Sequence, residues 1–102
     1  MSGHHIESTS EANEHARVID LWWREHRSAT PDLFLDELTR ALALLSTLPM
    51  LGIPYENTAV PEGTRRLLMR RVKCHLYYTV DAATRSIFVR AIWHSSRGSN
   101  PF

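Results

Sequence analysis

The hydrophobic pattern changes its period about half way along the chain, and this change constrains the fold more than any other feature. Before residue 49 the apolar residues recur every three or four positions, as on one face of a helix. After residue 63 they recur at every second position, as in a strand. Two helices followed by a run of strands predict an α+β domain with one helix layer and one sheet layer.

The first helix is predicted from Ser10, its expected N-cap, to Arg27. The second is predicted to begin with Thr30 as N-cap and Pro31 as first helical residue, and to end at Pro49. Because the connection is short, the two helices are expected to pack as a hairpin. One face of the first helix carries Ala12, Ala16, Ile19, Trp23 and His26, and the apolar stripe of the second is Phe34, Leu35, Leu38, Ala41, Leu42, Leu45 and Leu48.

Residues 50–63 are rich in glycine and proline and are predicted to form a loop. The alternating segments 64–71, 73–81 and 85–95 predict an antiparallel meander, and the expected fold is an N-terminal helical hairpin packed on one face of a curved antiparallel β-sheet. Strict alternation assigns Leu67, Met69, Cys74, Leu76, Tyr78, Val80, Ile87, Val89, Ala91 and Trp93 to the helix side of the sheet. It assigns Arg66, Leu68, Arg70, His75, Tyr77, Thr79, Phe88, Arg90, Ile92 and His94 to the other side.

Charge is distributed unevenly along the 102 residues. Residues 1–63 carry four arginines against ten acids, whereas residues 64–102 carry eight cations against Asp81 alone. A basic sheet joined to acidic helices is expected when one surface meets an anionic partner, although arginine also protects sheet edges and keeps a domain soluble.

Several classes of protein are disfavoured by the sequence. The single cysteine, Cys74, leaves no internal disulfide and no cysteine-based zinc site. The polar N-terminus has no apolar signal segment, and the longest apolar run, residues 41–45, is far shorter than the ~20 residues of a membrane span. We therefore expect a single cytoplasmic domain over residues 1–102, without a cofactor or a metal.

Taken in order, several segments resemble the RelE/ParE superfamily of toxins over about residues 10–97. They are ARVIDL (16–21), FLDEL (34–38), LSTLP (45–49), LGIPY (51–55), RRLL (65–68), LYYTVD (76–81) and IFVRAIWH (87–94). The resemblance implies the toxin of a type II toxin–antitoxin system, bound by a cognate antitoxin in a hetero-oligomer. The family normally opens with an apolar strand, whereas here segment 4–9 offers only Ile6, which leaves that strand open.

The superfamily contains toxins that bind DNA gyrase and ribosome-dependent endoribonucleases, and the fold does not decide between them. The stretch HSSRG at 94–98 is similar to the His-Gly-x-Arg stretch of ParE-like members, with Ser95 in place of glycine. The long second helix and the Leu-Gly-x-Pro loop also favour that branch, whose members inhibit growth and stabilise plasmids. Its expected target- or antitoxin-binding surface is Arg65, Arg66, Arg70, Tyr77, Arg90 and Arg97.

The alternative is a metal-independent messenger RNA endoribonuclease. Attack by the 2′-hydroxyl needs a base, an acid for the leaving oxygen and cations for the phosphorane, which suits histidine and arginine. His94 lies where some nucleases of the family carry a catalytic histidine, and His75 lies where they carry an arginine. The candidate catalytic residues are His94, His75, Arg70, Arg90 and Lys73. A third reading is a non-toxic homologue that binds an antitoxin and regulates its own operon.

Overall fold

The computed structural model describes residues 3–96 and 101–102. In chain order the elements are β1 (His5–Ser8), α1 (Ser10–His26), α2 (Leu33–Thr47), β2 (Ile53–Pro54), β3 (Arg65–Met69), β4 (Cys74–Asp81) and β5 (Ser86–His94). The strands form one sheet in the order β1-β5-β4-β3-β2. In the described part of the chain, no helix is long and apolar enough to span a bilayer.

The two predicted helices are confirmed, but both N-caps differ from the expectation. The cap of α1 is Thr9, whose hydroxyl accepts the Ala12 N–H at 3.1 Å. The second helix starts at Leu33 after Asp32, whose carboxylate does not cap it. The Asp32 carboxylate instead lies 2.9 Å from a guanidinium nitrogen of Arg24, near the end of α1. This ion pair uses the carboxylate that would otherwise cap α2.

The expected meander is confirmed in β3, β4 and β5, and the sheet gains two strands at its edges. At one edge β1 pairs parallel to β5, which makes the sheet mixed. Ile6, the single apolar residue of β1, packs against the core. The backbone of β5 supplies the hydrogen bonds that hold β1 in the sheet. At the other edge β2 lies within the predicted loop and pairs with two residues of β3. Pro54 fits there because an edge strand needs no hydrogen bond from every N–H.

Helices and sheet enclose one hydrophobic core. Phe34 and Leu45 of α2 and Leu76, Tyr78 and Ile87 of the sheet are fully buried. Within this core the Tyr78 hydroxyl donates to the Pro49 carbonyl and accepts the Gly52 N–H, both at 2.8 Å. These two bonds fix the start of the loop that leads to β2 and then to Tyr55.

A β-bulge in β5 decides which residues share each face of the sheet. Tyr78 is paired with Val89 and Tyr77 with Ala91, so Arg90 is an extra residue opposite β4. An extra residue inverts the alternation of every side chain after it. Accordingly Ile92 is 2% exposed within the core cluster, and Ala91 and Trp93 share the face of Tyr77 and His75, their partners in β4.

The alternation predicted for β5 is therefore wrong beyond Arg90. Ala91 and Trp93 were expected on the helix side, and Ile92 and His94 on the other side. The bulge reverses both pairs. His94 is paired with the buried Cys74 and lines a cleft beside α1.

Candidate functional site: the open face of the sheet

The sheet face turned away from the helices, here called the open face, carries Arg66 of β3, His75, Tyr77 and Thr79 of β4, and Arg90 of β5. Antiparallel pairing brings them together, because Arg66 is the register partner of Tyr77 and Thr79 lies beside Phe88. Of the arginine, histidine and tyrosine residues that alternation assigned to this face, Arg66, His75, Tyr77 and Arg90 are on it, whereas Arg70 and His94 are not.

Arg66 belongs to a cationic and aromatic cluster. Its guanidinium lies 5.1 Å from the centre of the Tyr55 ring, and that ring meets Tyr77 edge-to-face at 5.1 Å. Phe102 contacts the same Tyr77 ring at 5.4 Å. Among the described residues the buried Arg66 Nε has no hydrogen-bond partner. The cluster therefore holds a guanidinium with a free donor beside an aromatic surface.

Tyr77 is less available than the sequence indicated. Tyr55, His75 and Phe102 surround its ring, and the residue is only 4% exposed. Tyr55 takes its place as the half-buried aromatic residue next to Arg66. Sequence reasoning missed Tyr55 because it lies in the predicted loop, and only the pairing of β2 with β3 brings it to the sheet.

His75 is held in its neutral form more strongly than a free histidine. Burial lowers the pKa of His75 below its ordinary value, and the positive charge of Arg66 lowers it further. At neutral pH the imidazole therefore does not add a positive charge to the open face. It is able to accept a proton or a hydrogen bond.

This lowered pKa predicts a stability that depends on pH. The unfolded chain binds the proton of His75 first, so the free energy of unfolding should fall as pH drops below about 6.5. The variant His75→Gln should show a smaller fall, measured by urea unfolding at about pH 7.5 and about pH 5.5. The control His26→Gln, at an exposed histidine of α1, should keep the parent's pH dependence. A fall as large in His75→Gln as in the parent would contradict the prediction.

Arg90, the extra residue of the bulge, is fixed on the open face by its neighbours. Its Nε donates to the Thr79 hydroxyl at 3.0 Å, and its guanidinium lies 5.8 Å from the Phe88 ring centre. Sequence alternation had already placed Thr79 and Phe88 on this face, but nothing in the sequence linked them to Arg90. The open face thus holds two ordered guanidinium groups, those of Arg66 and Arg90.

The other predicted site residues lie elsewhere. Arg65 donates to the Gly52 carbonyl at 2.6 Å and so helps to hold the loop. Arg70 is exposed in the turn between β3 and β4 rather than in a strand, because β3 ends at Met69. Lys73 ends the same turn with a left-handed backbone (φ 58°) and lines the cleft beside α1. Arg97 lies outside the described residues.

His94 is on the opposite side of the sheet from His75, as a consequence of the bulge. Its Nδ1 accepts the Ser96 N–H at 3.2 Å and lies 2.7 Å from the Ser96 hydroxyl oxygen. An acceptor at Nδ1 places the hydrogen of the neutral ring on Nε2. The two candidate acid–base histidines therefore do not share a site.

No metal centre accompanies these residues in the described ranges, 3–96 and 101–102, where no three His, Cys, Asp or Glu side chains lie close enough to hold an ion. The chemistry available on the open face is hydrogen bonding and charge attraction from two arginines, with one neutral imidazole and an aromatic cluster. Such a surface suits an anionic partner.

The fold has clear counterparts among solved structures. A chain of the toxin–antitoxin complex RelBE2 from Mycobacterium tuberculosis matches at 18% identity and a TM-score of 0.66, over 90% of this chain and 98% of that one. A chain of the chromosomal ParDE system of P. aeruginosa matches at 13% identity and 0.67, over 89% and 95%. The isolated E. coli RelE toxin matches at 16% identity and 0.55, over 94% and 88%.

No family model and no curated protein matches the sequence. These three structural matches are below 25% identity, and what they establish is the fold. The α+β architecture expected from the resemblance is confirmed: this chain has the fold of the RelE and ParE toxins.

Proposed function

We propose that this chain, which has the RelE/ParE fold, is the toxin of a type II toxin–antitoxin pair. It inhibits growth by binding DNA gyrase, and a cognate antitoxin neutralises it in the cytoplasm. The proteins of similar fold support the toxin role and the antitoxin partner, since they include a RelBE2 complex and a ParDE system. They do not separate the two targets, so the choice of gyrase rests on the geometry of the site.

The position of His94 carries that choice. Cleavage of RNA through the 2′-hydroxyl needs a base and an acid within hydrogen-bond reach of one phosphodiester. Here the bulge at Arg90 puts His75 on the open face and His94 on the helix side, with the sheet between them. The predicted pair of histidines is therefore not assembled, which favours a toxin that acts by binding.

The open face supplies the binding surface in this proposal. Among the described residues, Arg66 and Arg90 are ordered cations of this face, and His75 is a neutral imidazole beside Arg66. An acidic segment of the antitoxin is expected to cross these arginines. Apolar residues exposed on the helices, such as Leu21 and Leu44, are expected to receive its apolar positions.

A ribonuclease remains the second candidate because of one cluster on the open face. His75 has a lowered pKa that suits a general base, and Arg66 beside it contributes a positive charge that would attract a phosphate. In that mechanism His75 would take the 2′-hydroxyl proton, while Arg66 and Arg90 would stabilise the phosphorane. The acid for the leaving oxygen would then have to come from outside this face.

We expect His94→Ala to keep the ability to inhibit growth. Its ring contacts Ser96 and lines the cleft but does not reach the open face, so a binding toxin should tolerate the change. The measurement is colony formation after induction, with the melting temperature checked for each variant. Loss of toxicity in a folded His94→Ala protein would contradict the gyrase proposal and favour catalysis.

His75→Ala is the matched comparison, because it removes the histidine of the open face. A ribonuclease should lose messenger RNA cleavage on ribosomes, whereas a gyrase toxin should show no such cleavage in either form. The direct test uses the purified chain with gyrase. Inhibited supercoiling, together with intact messenger RNA on ribosomes, is the expected result, and cleaved messenger RNA with unaffected gyrase would overturn the proposal.

A further inference from the structure

A cleft of about 650 Å³ opens on the helix side of the sheet, opposite the open face. It lies between α1, the turn from β3 to β4 and the end of β5, and we call it the α1 cleft. Its volume is within the range of small-molecule sites, roughly 300–1,000 Å³. The lining residues are Val18, Ile19, Trp22, Trp23, Arg27, Arg71, Val72, Lys73, Cys74 and His94.

The α1 cleft is cationic and contains no acid among its lining residues. Arg27, Arg71 and Lys73 each carry a full positive charge, and His94 adds a ring nitrogen, Nε2, with no hydrogen-bond partner among the described residues. The nearby acid of α2, Glu37, accepts the backbone N–H groups of Arg71 and Val72 at 3.1 and 2.9 Å. That carboxylate fixes the turn and is occupied by backbone donors.

The remaining walls of the cleft are apolar and aromatic. Trp22 and Trp23 meet edge-to-face at 5.8 Å, and Arg27 lies 5.3 Å from the centre of the Trp22 ring. Trp22 stacks on His26 with ring centres 4.8 Å apart, and 43% of its surface is still exposed. The α1 cleft thus combines an indole surface with several cationic hydrogen-bond donors. These donors suit an anion that carries more than one negative charge.

We propose that the α1 cleft binds a nucleotide. Arg71 and Lys73 hold its phosphate, and the base lies against the indoles of Trp22 and Trp23. A phosphate carries up to two charges and accepts from several cations, and bases pack well on aromatic and arginine surfaces. A base with its phosphate occurs both in a free nucleotide and at the end of a single nucleic-acid strand. This inference does not rest on the proposed function, since the residues that line the α1 cleft are not those assigned to the binding of gyrase or of the antitoxin.

The test is a titration of the full chain with adenosine 5′-monophosphate and, separately, with a short 5′-phosphorylated oligoadenylate. Nuclear magnetic resonance follows the three indole N–H signals. Trp22 and Trp23 line the cleft, whereas Trp93 shares the face of His75 and serves as an internal control. Saturable shifts of the first two signals, with Trp93 unmoved, are expected for at least one of the two probes.

The variant Arg71→Gln/Lys73→Asn should weaken binding by about tenfold or more, because it removes two phosphate contacts. Asparagine suits Lys73 because it tolerates the left-handed backbone found there. The matched control is Arg85→Asn, a cation with the same left-handed backbone (φ 52°) just before β5, at the other end of that strand from His94. This control should bind like the parent.

Each outcome of these titrations either supports or overturns the binding of a nucleotide in the α1 cleft. Binding of the mononucleotide identifies a free nucleotide as the source, and binding of the oligoadenylate alone identifies a strand end; both support the proposal. Three results would overturn it. They are no saturable shift with either probe, shifts confined to Trp93, or unchanged affinity in a folded Arg71→Gln/Lys73→Asn protein.

Discussion

Replacing Arg66 and Arg90 together by glutamate is expected to weaken binding of the antitoxin by about 100-fold, or ~2.8 kcal/mol. The two guanidinium groups are ordered on the open face by Tyr55, Thr79 and Phe88. Reversing both charges replaces attraction to an acidic segment by repulsion. Calorimetric titration with the antitoxin measures the effect, and most of it should disappear at high salt.

Two comparisons separate binding from folding in this experiment. Arg66→Gln/Arg90→Gln removes the charges without reversing them and should give an intermediate loss. Arg17→Glu/Arg40→Glu reverses two exposed charges on the helices, where the Arg17–Glu14 ion pair is too exposed to matter much for stability. That control should bind as the parent does. An unchanged affinity in Arg66→Glu/Arg90→Glu would remove the open face as the antitoxin surface.

Phe34→Ala is expected to lower the free energy of unfolding by about 3–5 kcal/mol. Phe34 is fully buried between α2 and the sheet, so its loss removes apolar burial and leaves a cavity. A domain of this size commonly has only about 5–15 kcal/mol in total. The variant should therefore unfold at a much lower urea concentration, with an unchanged slope of the transition.

The neighbouring Leu35 provides the control for Phe34. It lies on the same helix with 37% of its surface exposed, and Leu35→Ala should cost about 1 kcal/mol or less. If the two variants lost the same stability, α2 would not bury the face that the structure assigns to the core.

The helices were predictable because their apolar stripes are long and regular. Their caps were not, because Thr9 and Ser10 are both good N-cap residues and the choice depends on where β1 ends. The first strand could not be predicted from the hydrophobic pattern, because Ile6 is the only apolar residue of His5–Ser8. What holds this strand in the sheet is backbone hydrogen bonding to β5, which does not depend on the side chains.

The bulge in β5 is the feature that sequence reasoning missed with the largest consequence. In residues 87–94 strict alternation put the large apolar Ile92 on the same face as Arg90, and this local inconsistency was the available signal. The extra residue is decided by how β4 pairs with β5, which is a contact between segments rather than a property of either one. Arg66 in β3 and His75 in β4 were placed on the correct face because neither strand contains the extra residue. His94 follows Arg90 in β5 and was therefore placed on the wrong face.

Inhibition of growth through gyrase can be tested by pulse-labelling of DNA and protein synthesis. The labels are added to bacteria within minutes of inducing the chain without its antitoxin. If the chain acts on gyrase, DNA synthesis should fail and the cells should filament while translation continues. Translation that stops first, with messenger RNAs cut within codons, would contradict it and make His75 with Arg66 and Arg90 the site to test for catalysis.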